Sequence, residues 1–192
     1  MHDFWLCFVP IFVAVDPVGI LPMFMGLTEK VERAHMNRLI IRSVITAIIV
    51  SVAFLLGGRW LFDLIGITVE DFMVAGGVLL FVLSMTDLVV TDARPRRTDP
   101  ETVGAVPIGV PLLAGPAVFA TAMLLLNQFG YWLTALALVA NMVLAGLVFR
   151  CSSVVLRVLG VTGTKIVAKV AALILAAFSV MLIRKGVASF LS

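Results

Sequence analysis

Asp16 is the only carboxylate deep inside any apolar run of this chain, within Val15-Asp16-Pro17-Val18-Gly19-Ile20-Leu21-Pro22. An ionisable group at such a depth is by default a functional candidate. Its carboxylate has the chemistry to pair a substrate ammonium, to carry a coupling proton or to help hold a cation. The competing structural role is a helix N-cap, with Pro17 at the first helical position, where a missing N–H costs nothing. Two prolines and a glycine also make this stretch poor material for an unbroken membrane helix. A second break, Pro111-Leu112-Leu113-Ala114-Gly115-Pro116, interrupts a later apolar run, and Gly115-Pro116 offers the same cap geometry without the carboxylate. Thr121, just beyond it, and Asn141, near the middle of the following run, complete the set of candidates. For both, interhelical hydrogen bonding and packing are the structural alternatives.

Other chemistries find no residues to run on. His2 and His35 lie at the terminus and in a loop, and no second deep carboxylate partners Asp16. Neither a metal-ligand set nor a nucleophile–base pair is visible, so an enzyme is not expected, nor is a cofactor beyond a coupling proton or sodium ion. There is no ring-forming charged motif or filter sequence of the kind channels use. A non-transporting membrane scaffold or accessory subunit is the alternative class, and it would need a broad helix face rather than two matched central breaks. Cys7 and Cys151 have no metal spacing, and the topology below sets them near opposite faces, which argues against a disulfide.

The elements that must position these residues follow from composition. The 192 residues are 62% hydrophobic and 13% charged, with a mean hydropathy of +1.18. A soluble domain of this size could not hide so much apolar surface, so the bilayer is the solvent. The small basic excess therefore reads as membrane topology, not as nucleic-acid binding. The start lacks the basic segment of a signal peptide, so the first apolar run is expected to stay as a helix. Six spans fit, at about 4–27, 39–57, 70–91, 106–126, 131–149 and 167–189, each near the ~20 residues that the hydrocarbon thickness requires. Together they form one all-α membrane domain, with a solvated linker at about 92–105 dividing residues 1–91 from 106–192.

Lys30, Arg33, Arg38 and Arg42 flank the first loop, Arg94, Arg96 and Arg97 lie in the third, and Arg150, Arg157, Lys165 and Lys169 surround the fifth. Only Arg59, Arg184 and Lys185 fall on the other side. The positive-inside rule then predicts cytoplasmic odd-numbered loops and both termini outside.

The two halves echo one another. Val9-Pro10-Ile11 leading to Asp16-Pro17 returns as Val106-Pro107-Ile108 leading to Gly115-Pro116; Leu64-Ile65-Gly66-Ile67-Thr68 returns as Val158-Leu159-Gly160-Val161-Thr162; Gly77-Val78-Leu79-Leu80 returns as Ala172-Leu173-Ile174-Leu175. Three spans per unit force the second copy upside down, the inverted-repeat plan of many secondary transporters. Helices one and four would then both be broken near mid-membrane. Their second halves would start there with partly positive N-termini, suited to a carboxylate, while the ends of the preceding halves offer carbonyls to an ammonium or small cation. A small zwitterion fits that arrangement best.

The two breaks, with Leu159-Gly160-Val161-Thr162-Gly163 before the sixth span, resemble the MarC family of bacterial inner-membrane proteins, which includes SnatA-like small neutral amino acid transporters. The resemblance covers essentially the whole chain. It implies six helices in two inverted three-helix repeats, a bacterial or archaeal cytoplasmic membrane, and transport of solutes of the glycine and alanine class around Asp16, Pro17, Gly19, Gly115, Pro116, Thr121 and Asn141. The family's name reflects an association with drug resistance, so export of drug-like compounds is the alternative cargo. Ala117, Ile20 and Met181 depart from the family pattern, where Gly, a small or polar residue and Gln are usual. Such a site would be more apolar and favour a slightly larger neutral substrate. Composition leaves a homo-oligomer open and does not choose its size.

Overall fold

A computed structural model of the protein describes residues 2–28, 31–89, 109 and 113–190. The linker at 92–105, the Val106-Pro107-Ile108 echo, Pro111 and Leu112 lie outside the described residues. Within them the chain is helical, with no strand: α1 (His2–Val15), α2 (Leu21–Thr28), α3 (Arg33–Ile65), α4 (Val69–Val89), α5 (Pro116–Arg150) and α6 (Ser152–Phe190). Among the described residues, four stretches are long and apolar enough to cross a membrane: Ala34–Ile65, Val69–Thr86, Pro116–Arg150 and Ile166–Phe190. Less than half of each is buried inside the protein. Large apolar side chains such as Trp60, Leu64 and Trp132 stay exposed, which suits hydrocarbon and not water.

α5 is longer than a single crossing needs, and its contacts explain why. Phe119 stacks on Phe54 of α3 at 4.4 Å between centroids, Met123 reaches the space beside Gly58, and Asn127 accepts a hydrogen bond from Arg59. Numbers rise together, so this segment runs parallel to α3. Past Gly130 the order reverses: Gly146 meets Val44, and Arg150 Nη1 donates to Asn37 Oδ1 at 2.9 Å. Gly130 itself has φ 77° and ψ 177°, backbone that a side chain would strain. α5 is thus two helical segments, the second folding back along α3. The turn falls in the gap that the apolar pattern leaves between 126 and 131.

α4 and α6 pack antiparallel. A Cβ on Gly77 would stand 2.9 Å from the Ser179 carbonyl oxygen, and one on Gly186 would stand 2.9 Å from that of Glu70. Further along, Lys169 Nζ donates to the Leu88 carbonyl at 2.5 Å. Glycines at these positions let two backbones approach as membrane helices do when dispersion, not water, drives them together. The corner between α3 and α4 is local chemistry. Gly66 closes α3 in the left-handed region, and Thr68 and Asp71 cap each other, with both the Thr68 N–H and its hydroxyl donating to Asp71 Oδ2 at 2.8 Å.

Two helices overrun the expected spans. α3 extends beyond 39–57 at both ends because Arg33, Arg38, Arg59 and Asp63 continue it as a polar-ended helix. α6 starts at Ser152 instead of 167, but Gly160, at φ 67° and ψ 175°, breaks it into a short leading piece and a long apolar one.

Candidate functional site: two helix breaks and the polar atoms around them

Residues 16–20 separate α1 from α2, and Asp16 organises the junction. Its N–H donates to the Phe12 carbonyl at 2.9 Å, ending α1, while its own carbonyl accepts from Ile20 N–H at 3.1 Å. Its Oδ1 accepts from Gly19 N–H at 3.0 Å. That is an N-cap over Pro17, Val18 and Gly19, with Pro17 buried at the position where no donor is needed. Asp16 takes φ 45°, a left-handed conformation that Asp tolerates better than most residues. Gly19 is required beside it, since a Cβ there would lie 2.6 Å from Asp16 Cγ.

The second half-helix does not run on regularly from Pro17. Pro22 has no N–H to give the Val18 carbonyl, so Leu21 N–H takes that acceptor at 3.2 Å in a tighter turn. Regular bonding resumes with Phe24 N–H to Ile20, and α2 proper begins at Leu21.

At the second break, Ala114 N–H donates to the Gly109 carbonyl at 3.0 Å. Gly109 is buried against α3, where a Cβ would meet the Ser43 carbonyl at 3.1 Å and Thr46 at 3.0 Å. Gly115 is extended (φ −97°, ψ 171°) and caps α5 with no side-chain hydrogen bond, and Pro116 takes the first helical position. The opening turn of α5 therefore presents backbone donors with no side-chain cap, in a stretch where Leu113, Ala114, Gly115, Ala117 and Val118 are all buried.

Polar side chains near these breaks are incompletely satisfied. Thr121 is 0% exposed and its Oγ1 has no hydrogen-bond partner; nor has Oδ1 of Asn141, which is 1% exposed. The Asn141 amide is anchored, with Nδ2 donating to Phe8 of α1 at 3.1 Å and to Ala137 at 2.8 Å. Buried polar atoms left unpaired in an apolar interior are costly, and a polar ligand would relieve them.

The contacts sort the seven candidates into two groups. Asn141 is tied to α1 two turns before Asp16, Pro17 and Gly19. Gly115, Pro116 and Thr121 lie on the first segment of α5, which packs on α4 where a Cβ on Gly76 would stand 3.0 Å from the Ala120 Cβ. α5 carries members of both groups, one segment each. Thr121 lies roughly 200° around the helix from both Phe119 and Met123, so it faces away from α3. Of the departures from the family pattern, Ala117 is buried, and Ile20 and Met181 pack on the core.

Ser51 was not among the candidates. Its Oγ is likewise buried and unpartnered on the α3 face that also buries Ala47 and Leu55. Nothing in its sequence setting separates it from a packing serine. Ser43 and Ser179, by contrast, bond carbonyls of their own helices at 2.9 and 2.6 Å, as ordinary membrane serines do.

A family model described as "MarC family integral membrane protein" matches residues 1–191. Curated relatives include a UPF0056 membrane protein of Methanocaldococcus jannaschii, 29% identical over 94% of this chain and 84% of that protein. A second from the same archaeon is 30% identical over 97% of both chains. The inner membrane protein YhgN of Escherichia coli is 26% identical, again over 97% of both. No solved structure matches the chain. With the breaks and the apolar helices in view, the whole-length match carries the conclusion that this chain belongs to the MarC family of integral membrane proteins.

Proposed function

We propose that the protein is a secondary transporter of a small neutral solute, most simply an amino acid of the glycine and alanine class. It would work by alternating access around the two helix breaks. The observation that carries this reading is the pairing of interrupted backbone with unsatisfied buried oxygens: the Asp16 cap and the Gly115 helix start, with Thr121 in the second turn of α5 and Asn141 bonded to α1 two turns before Asp16. Broken backbone is tolerated at membrane depth where it lines a polar cavity, and in secondary transporters such breaks form the substrate site.

An arrangement of six spans in two inverted repeats is part of the proposal. Counting the α1–α2 unit as the first span and the two segments of α5 as the fourth and fifth, the contacts respect an exchange of halves. The first span meets the fifth through Phe8 and Asn141, and the second meets the fourth through Phe54 and Phe119. The third and sixth pair with each other, antiparallel. Gly66 and Gly160, matched in the sequence repeat, both take positive φ at their corners. The sign of the loops argues for termini outside, in a cytoplasmic or inner membrane. A proton or Na+ is the coupling ion that Asp16 would serve, and a homo-oligomer is compatible with the exposed apolar faces.

Asp16→Asn separates function from fold, because Asn still accepts the Gly19 N–H and keeps the cap. Uptake of labelled alanine or glycine into proteoliposomes is expected to fall about tenfold or more at unchanged folded yield. Undiminished uptake would remove Asp16 from the mechanism. A thermal-shift screen of the purified protein against neutral amino acids and drug-like amines identifies the cargo class, since a ligand bound only by the folded state raises its apparent stability.

A further inference from the structure

α3 and the second segment of α5 leave a groove of about 250 Å³ between them, and none of the seven site candidates lines it. Its floor is Gly146, where Val44 comes within 2.6 Å of the place a Cβ would occupy. Its sides are Ile41, Ile45 and Leu147, each more than half exposed, with Ile40 and Val143. At one end stands Arg150, exposed, spending one of its five N–H donors on Asn37. Arg38 and Arg42, also exposed, follow on the same stretch of α3.

We propose that this groove binds an anionic phospholipid, with an acyl chain laid over Gly146 and the phosphate on Arg150. The apolar part faces the region where hydrocarbon must lie, and a guanidinium with free donors at its end matches phosphate oxygens in a two-pronged hydrogen bond. The further basic residues favour a head group of net negative charge, the recognised preference of basic pockets at the cytoplasmic ends of membrane helices. A second copy of the protein fits less well. Two copies meeting through this face at the same depth in the membrane would bring Arg38, Arg42 and Arg150 of each against those of the other, a like-charge contact that opposes association. Free phosphate would leave the apolar length unexplained. The proposal stands independently of the transport reading.

The test is thermal unfolding of the purified full-length protein in detergent with added phosphatidylglycerol or phosphatidylcholine of identical chains, with bound lipid counted by native mass spectrometry. Phosphatidylglycerol is expected to raise Tm by about 2–4 °C more than phosphatidylcholine. Arg150→Gln abolishes that difference, and Arg150→Lys keeps part of it. Ile41→Trp, which fills the groove from its exposed side, lowers both the gain and the retained lipid. Equal gains from the two lipids in the native protein, an undiminished preference in Arg150→Gln, or reproduction of the effect by inorganic phosphate alone would each overturn the assignment. So would an Ile41→Trp variant whose oligomeric state changes while its lipid response does not.

Discussion

Asp16 meets three demands at once: its N–H ends one helix, its carbonyl starts a turn, and its carboxylate caps that turn through Gly19. The Asp-Pro-x-Gly spacing is legible without a structure because each of those demands is local. Gly19→Ala is therefore expected to displace the carboxylate and cost about 1–2 kcal/mol, the usual worth of an N-cap, read as a lower unfolding temperature. Uptake should fall with it. Thr121 supports the opposite experiment. Its hydroxyl has no partner, so Thr121→Val forfeits no internal hydrogen bond and should leave thermal stability unchanged or slightly raised. If that oxygen serves the solute, the same variant lowers uptake several-fold, and full activity would assign Thr121 to packing. Its partnerless state was not readable from the sequence, where Thr121, Ser51 and Ser179 are equally ordinary. Only Ser179 found a carbonyl within its own helix, and that depends on rotamers and neighbours far away in the chain.

Helices were easier to read than their ends. The apolar runs mark where α3, α4, α5 and α6 cross, because hydrocarbon sets a length that composition must satisfy. Ends follow subtler signals: the polar continuation of α3 past both limits of its apolar run, and the tightened start of α2 that Pro22 imposes. Contact between helices is subtler again. Gly76 and Gly77 suggest close approach, yet only the structure assigns Gly76 to α5 and Gly77 to α6. Gly77→Leu must push a side chain into the Ser179 carbonyl and Ile183, and backbone cannot yield as a side-chain tip can. The α4–α6 pair should separate, with a marked loss of folded yield in fluorescence-detected size exclusion. Gly57→Leu, on α3 where a Cβ meets nothing within 4 Å, should be tolerated in the same assay. Equal losses in both would mean that the close α4–α6 approach is not what stabilises the fold.

At the scale of the whole molecule, the reversal at Gly130 decides how many times the chain crosses the bilayer. The segment from Tyr131 to Arg150 covers about 30 Å as a helix, one hydrocarbon thickness. Its two ends should consequently open on opposite sides, and the native thiols make that measurable. Cys151, directly after Arg150, is exposed, whereas Cys7 is fully buried. With the basic end in the cytoplasm, a membrane-impermeant maleimide should label the native protein in inside-out vesicles and spare it in right-side-out ones. Tyr131→Cys in a Cys151→Ser background should reverse the pattern, because Tyr131 is 42% exposed at the far end of the same segment. Labelling of both positions from one side would mean that this part of α5 does not cross. The pairing of the first span with the fifth and the second with the fourth would then lose its membrane meaning, and the inverted repeat with it. Opposite-sided labelling with the vesicle types exchanged would keep the repeat and turn the molecule over. The phosphate-binding end of the α3–α5 groove would then face outward, where the basic loops could no longer be explained by the charge of the cytoplasmic side.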